Sequence, residues 1–282
     1  MVQIGMSTSC THSYPLEETF RLSADVGYDG LEVMVMHDPR TRDANTLKSL
    51  AAEYSQPILS IHAPVLLATS FVFGLSAKTK LEKSAALARA VGAPTVVVHP
   101  PFRWQGGYST VFAEVVGEIA GRYGVDIAVE NMFGWKAGTA HLDAYAPTWN
   151  PGNLSVDALT LDFSHAALNG TSGHELATDW GKRLRHVHLC DGTFPEDNPH
   201  VFDEHLAPGD GSQPLAEVLQ LLAANRFDGA VVAEVSTGKD RSREAKVQRL
   251  TRTLEFAKRH SIAPVTPLPQ STTQETELAQ AS

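Results

Sequence analysis

Asp203 and His205 stand with one residue between them in FDEHLAPGDG (202–211), just before a turn rich in Pro and Gly. On an extended segment alternate side chains face the same way, so the pair can present a carboxylate and an imidazole to one point. The same chemistries recur along the chain: His62 in SIHAP, His99 in VVVHPP, Glu130 in VENM, Asp162 and His165 in LDFSH, His188 in HVHLCD and Glu234 in VAEVS. Imidazoles and carboxylates without a thiol suit Zn, Mn, Co or Fe(II). Gathered at one place, so many acids and imidazoles need a cation between them.

What gathers them is set by the elements that carry them. Eight short apolar, β-branched runs read as strands: 2–7, 30–36, 57–63, 95–100, 126–132, 158–164, 184–190 and 229–235. Helix-like segments at 16–27, 80–92, 214–226 and 243–260 lie between and after them, with apolar residues spaced three and four apart. Nearly continuous Val, Ile and Leu in a strand means burial on both faces, as in a parallel sheet covered by helices. Eight such units predict an α/β fold of the (β/α)8 TIM-barrel type, a single domain over residues 1–260. The first strand is not followed by G-x-G-x-x-G, which disfavours a dinucleotide fold. In such a barrel the active site forms at the carboxyl ends of the strands, where the acids and histidines fall. His186, two residues before His188, points to the same side one layer deeper and reads as a packing partner.

Composition narrows the function classes. The chain has 282 residues, 43% of them hydrophobic, and a formal net charge of −9. That charge weighs against a general polyanion-binding surface, because affinity for nucleic acid comes largely from Lys and Arg at phosphates. No apolar run approaches the roughly 20 residues needed to span a bilayer. The opening MVQIGMSTSC lacks the basic and apolar regions of a secretory signal, so a cytoplasmic location is expected. Cys10 and Cys190 are read as buried structural thiols. Residues 261–282, polar and rich in Pro, Thr and Gln, are expected to form a disordered tail. The connection 133–157 is long for a compact domain and reads as a lid or binding loop; its Trp135, Tyr145 and Trp149 either stack on a ligand or pack the loop down.

The ordered set SIHAP, VVVHPP, VENM, LDFSH, HVHLCD, DEH-x3-G-x-G and VAEVS resembles the xylose isomerase-like TIM-barrel superfamily over residues 2–260. That superfamily unites sugar isomerases and epimerases with endonuclease IV-type apurinic endonucleases. In its sugar-isomerase branch the resemblance implies one divalent metal on Glu130, Asp162, His188 and Glu234. In the endonuclease branch it implies three zinc ions, with His62, His99, His165, Asp203 and His205 added. Other stretches depart from the endonucleases: STSCTHSYP stands in place of a Gly-rich segment after the first strand, NMFGW in place of an Asn-Thr-Ala-Gly-like run, and AP follows His62 where they carry a duplex-penetrating aromatic.

Two functions are compatible with one pocket. The first is a metal-dependent isomerase or epimerase acting on a sugar, sugar phosphate or cyclitol through an enediolate. Glu130 and Glu234 would be its catalytic acid and base, and His62, His99, His165, Trp104 and Trp135 would bind substrate. The second is an endonuclease IV-type phosphodiesterase with a trinuclear zinc site. One to three ions of Zn, Mn or Co are the expected cofactor. The expected partner is a small polyhydroxy-carbonyl compound; DNA is the less favoured ligand, no membrane is expected, and a homo-oligomer is compatible with this reading.

Overall fold

A computed structural model describes residues 2–64, 69, 71–137, 140–142, 144–146, 148–197 and 202–262. Among the described residues ten strands run β1 Gln3–Ser7, β2 Leu31–Met34, β3 Ile58–His62, β4 Thr95–Val98, β5 Asp126–Glu130, β6 Trp135–Ala137, β7 Ala140–Leu142, β8 Ala158–Asp162, β9 Leu184–Leu189 and β10 Ala230–Ala233. Eight close a parallel barrel in the order β1-β10-β9-β8-β5-β4-β3-β2. This is the expected (β/α)8 barrel. β6 and β7 form a separate antiparallel hairpin inside the long connection after β5. Strands that short carry too few alternations to stand out in the sequence.

The helices are α1 Leu16–Val26, α2 Ala44–Glu53, α3 Ala77–Val91, α4 Gly107–Tyr123, α5 Phe163–Leu168, α6 Gly173–Trp180, α7 Leu215–Ala224 and α8 Arg243–His260. Their ends follow local chemistry. Ser76 and Ser242 cap α3 and α8 by accepting from Thr79 N and Ala245 N, and Gly27 and Gly92 close α1 and α3 with positive φ. The expected 80–92 segment therefore begins three residues earlier, at its serine cap. Among the described residues no helix is long and apolar enough to cross a membrane. Residues 263–282, the bulk of the expected tail, lie outside the described residues.

Strand parity decides what faces the barrel interior. Leu31, Val33, Val96, Val98, Leu159, Leu161 and Val187 belong to the main apolar core, with Phe20, Leu81, Ile119, Phe163 and Leu219 from the helices. The opposite parity fills the axis. At its amino-terminal end lie Leu59, Ala230 and Val232; Gly5 fits there because a Cβ would come 2.8 Å from Leu59 Cδ1. Towards the carboxyl ends the axis turns polar, with Glu32, Ser60, Thr160, His186 and His188 all buried.

Two register shifts tune this parity. β2 and β3 pair Leu31 with Ile58 and then Glu32 with Ser60, passing over Leu59. β8 and β9 pair Leu159 with Leu184 and then Thr160 with His186, passing over Arg185. Such an extra residue re-aims the side chains that follow it. Gly30, immediately before β2, lies so close to β3 that a Cβ there would collide with the Pro57 carbonyl oxygen. Gly30→Ala is expected to lower stability by about 1–3 kcal/mol, the usual cost of overpacking, seen as a lower midpoint in denaturant with an unchanged slope.

Candidate active site at the carboxyl ends of the strands

Backbone geometry at the ends of β5 and β8 fixes the first two acids. Asn131, next to Glu130, donates through Nδ2 to the Asp162 carbonyl and accepts at Oδ1 from Asp162 N, 2.9 and 2.8 Å. This two-way amide bridge locks the adjacent strand ends together. Asp162 then caps α5, its Oδ1 accepting from His165 N at 2.8 Å. The short helix brings His165 back over the barrel, where Nδ1–H donates to the Asn131 carbonyl at 2.8 Å.

From β9 and β10 come His188 and Glu234. His188 Nδ1 lies 2.9 Å from Glu130 Oε1, 2.9 Å from Glu234 Oε2 and 3.6 Å from Asp162 Oδ2. One atom from each of these four residues falls within 4.8 Å of the others. Ser9 Oγ donates to Glu234 Oε1 at 3.0 Å and steadies that carboxylate.

The remaining histidines surround this group. His62 Nε2 and His99 Nε2 reach Glu130 Oε2 at 3.4 and 3.1 Å. His165 Nε2 meets Asp203 Oδ2 at 3.4 Å, and His205 Nε2 meets the same oxygen at 3.1 Å. Asp162, His165 and His205 form a second set with donor atoms within 4.8 Å of one another. All nine residues singled out for metal binding thus converge on one end of the barrel.

The Asp203–His205 loop is held there by its neighbours. Ser164 Oγ donates to Asp203 Oδ1 at 2.8 Å and accepts from the backbone N–H groups of Glu204 and His205. Behind it, Asp191 exchanges backbone hydrogen bonds with Leu206, and its carboxylate accepts from Gly192, Gly209, Gly211 and Gln213. Gly209 has φ 87°, and a Cβ on Gly211 would sit 2.5 Å from Asp191 Oδ1, so these glycines are what let the turn close. His205 itself holds φ 45°, an uncommon backbone for a residue with a Cβ.

Burial and charge act in opposite directions here. Burial alone would raise the Glu130 carboxyl, but His188 and His99 outweigh it and hold it well below the usual range. Burial opposes charge on His188, yet Glu234, Glu32 and Glu130 carry its pKa well above 6.5. His165 is opposed by burial in the same way and is lifted to about 10 by Asp162 and Asp203. His99 goes the other way: burial dominates and lowers it. Cys190 Sγ donates towards Asp162 Oδ2 at 3.5 Å; burial pushes this thiol up, so it remains a thiol rather than a metal-ready thiolate.

The donor set fits a divalent cation. Glu130 Oε2 is buried without a well-aligned hydrogen bond, although two imidazoles stand near it. Among the described residues lining the cavity above Glu130 there is no Lys or Arg. Its walls are Met34, Val35, Met36, Ala63, Pro64 and Thr69 together with the acids and imidazoles.

The aromatic residues fall elsewhere. Trp104, 56% exposed, stacks on Phe102 at 4.4 Å, and Phe102 stacks on Tyr145 at 5.0 Å. Tyr145 is buried, and Trp149 packs against the core while its carbonyl accepts from Met132 N. Of the long connection, these two residues pack it down; the Trp135 side chain lies outside the described residues. Besides Asp191, a second buried acid escaped the sequence reading: Glu32, fully enclosed on β2. Its signal was a lone carboxylate in the apolar run LEVMVM.

Comparison with known proteins agrees with this architecture. An uncharacterized protein of Mycobacterium leprae is 39% identical over 279 residues, covering 92% of this chain and 97% of its own. The fructoselysine 3-epimerase of Escherichia coli O157:H7 is 22% identical over 262 residues, 84% of this chain and 91% of the epimerase. Among solved structures, a D-tagatose 3-epimerase-like protein superposes with a TM-score of 0.67 at 20% identity, over 92% of this chain and 98% of that one. D-psicose 3-epimerase, solved in the presence of D-fructose, gives 0.64 at 15% identity over 92% and 99%. The family model described as xylose isomerase-like TIM barrel matches residues 20–260, and the chain belongs to that family.

Proposed function

We propose that the protein is a metal-dependent epimerase or isomerase acting on a sugar, sugar phosphate or cyclitol through an enediolate. The observation that carries this reading is the placement of Glu130 and Glu234. They come from strands separated in the barrel by β8 and β9, yet both end within 2.9 Å of the same His188 nitrogen. Two carboxylates flanking one small space can address the two faces of a carbon held between them. Relatives that bear the names of sugar 3-epimerases support the same chemistry.

Glu130, Asp162, His188 and Glu234 would hold the cation. A divalent ion supplies Lewis-acid stabilisation of the negative charge that develops when a proton leaves the carbon beside a carbonyl. One glutamate takes that proton while the other, protonated, delivers its own to the opposite face. The electron pair left by the C–H bond forms the enediolate and is used again to make the new C–H bond. Each turnover therefore leaves the proton transferred between the two glutamates, and exchange with solvent resets them. General acid–base help of this kind is worth roughly 10²–10⁴-fold. His62, His99 and His165 direct Nε2 towards the cavity and would bind substrate hydroxyls. Trp104 and Trp135 are proposed to cover the sugar.

A second reading, an endonuclease IV-type phosphodiesterase, is favoured by one specific observation: the additional donor set of Asp162, His165 and His205 beside Asp203. The net charge of −9 and the absence of Lys and Arg among the described residues lining the cavity favour a small substrate over DNA.

With metal loaded, the protein is expected to wash solvent deuterium into at least one member of a panel of ketoses, aldoses, sugar phosphates and inososes, read by mass spectrometry. Glu130→Gln and Glu234→Gln should each lower that exchange by at least about 10²-fold. Exchange in none of the panel, together with cleavage of an abasic-site duplex that Glu130→Gln abolishes, would reverse the order of the two readings.

Metal uptake should itself be pH-dependent. The carboxylates around His188 raise its pKa well above 6.5, whereas a ligand nitrogen must be neutral. Cobalt added to chelator-stripped protein at pH 8 should therefore displace protons, and affinity should rise with pH. Calorimetry in buffers of different ionisation enthalpy measures this; an enthalpy independent of buffer would contradict it. The same titration counts ions, one per chain favouring the isomerase and three the phosphodiesterase.

A further inference from the structure

The histidines around the cavity divide into two kinds by the nitrogen they turn inward. His62, His165 and His205 each donate Nδ1–H to a backbone carbonyl, of Ala63, Asn131 and Glu234, at 3.1, 2.8 and 2.8 Å. In the neutral ring it is therefore Nε2 that turns a lone pair to the cavity. His188 is reversed. Its Nδ1 faces Glu130, Glu234 and Asp162, so with a cation held among those carboxylates the ring proton would reside on Nε2, and Nε2 points into the barrel rather than towards a strand-end carbonyl. What it meets there is Glu32, at 3.3 Å from each carboxylate oxygen.

We propose that Glu32 is a positioning residue that fixes the ring of His188, so that Nδ1 offers its lone pair to the cation. The assignment rests on the metal reading above and deepens it. Glu32 reaches His188 across the axis, since β2 and β9 are separated by β1 and β10 on one side of the barrel and by four strands on the other. It is itself held: Ser60 Oγ donates to Oε2 at 2.9 Å, an alignment made by the register shift that pairs Glu32 with Ser60. His186 supports it from below, with Nε2 2.9 Å from Oε2 but off the line of a good hydrogen bond. Its ring stands edge-on to His188 at 5.2 Å, closing the other side of the slot.

A carboxylate fully enclosed in a barrel is costly, and an apolar side chain would fill the same space more cheaply. The geometry supplies the reason for a charge. A carboxylate accepts a stronger hydrogen bond than a neutral oxygen and makes the opposite ring nitrogen a better electron donor. Glu32 is not among the residues that line the cavity, which keeps it off the substrate.

The test is cobalt affinity of chelator-stripped protein, by calorimetry and by the visible spectrum of bound cobalt. Glu32→Gln removes the charge at constant shape, and Glu32→Asp keeps the charge but is one methylene too short to reach Nε2. Each is expected to bind cobalt about 10–100-fold more weakly than wild type, the usual effect of losing such a partner. In zinc-loaded wild type, ¹⁵N-edited spectra should show the His188 Nε2–H strongly hydrogen-bonded, and that signature should be lost or weakened in Glu32→Asp. Affinity within about twofold of wild type in both folded variants overturns the assignment of Glu32 alone. A wild-type chain that takes up no cobalt overturns the metal reading as a whole, and Glu32 with it.

Discussion

Three buried carboxylates aimed at one imidazole nitrogen are the constraint on which the rest of this barrel depends. Glu130, Asp162 and Glu234 are each nearly or fully enclosed, and like charges at such separations cannot persist in a low-dielectric interior without a counter-charge. Protons on His188 and His165 supply one in the chain alone, which is why both rings are pushed above their ordinary pKa. A divalent cation would supply the other, and the exchange between the two links acidity to metal uptake. Stability and metal binding would then draw on the same charges: the protein folds around an electrostatic problem that a bound cation would solve.

Closure of the sheet is what makes the problem local. In an open sheet the ends of β5 and β10 would lie several strand spacings apart, each about 4.8 Å. In the closed order they stand with only β8 and β9 between them, and their side chains meet over the axis. Parity then gives every second residue to the interior, and the two register shifts decide which second residue it is. Because a one-residue slip would send His186 and His188 outwards into the helices, the passage over Arg185 in β9 is as much a part of the site as the ligands. The apolar plug of Leu59, Ala230 and Val232 closes the far end, leaving the polar layer open only at the mouth.

How much of this was legible in the sequence follows from which forces act locally. The barrel strands were readable because burial on both faces produces unbroken apolar runs, and the strand-end acids and histidines were readable because they interrupt those runs at their carboxyl ends. His186 was placed a layer below His188 by period-two geometry alone, and it lies there. Glu32 was not found, because its partner is on a strand far away in sequence and no local pattern records a contact across a barrel. The hairpin of β6 and β7 was missed for lack of length, and the packing of Tyr145 and Trp149 depended on tertiary neighbours such as Phe102 and Met132.

The mouth loop shows the same separation between pattern and cause. Asp and His one apart, followed by Pro and Gly, announced a turn that could present two ligands, but the parts that hold it lie elsewhere. Ser164 on α5 grips its backbone and Asp203, and Asp191 gathers the N–H groups of Gly209, Gly211 and Gln213. His205, with φ 45°, sits in a backbone region that costs about 1–3 kcal/mol when a side chain is present. The loop bears that cost only because Nδ1 is tied to the Glu234 carbonyl while Ser236 N donates to the His205 carbonyl in return. Those two bonds join the loop to the end of β10, so that His205 and Glu234 move as one unit. A displacement of either residue by a ligand would be felt by the other, which makes the second donor set of Asp162, His165 and His205 mechanically continuous with the first rather than an independent site.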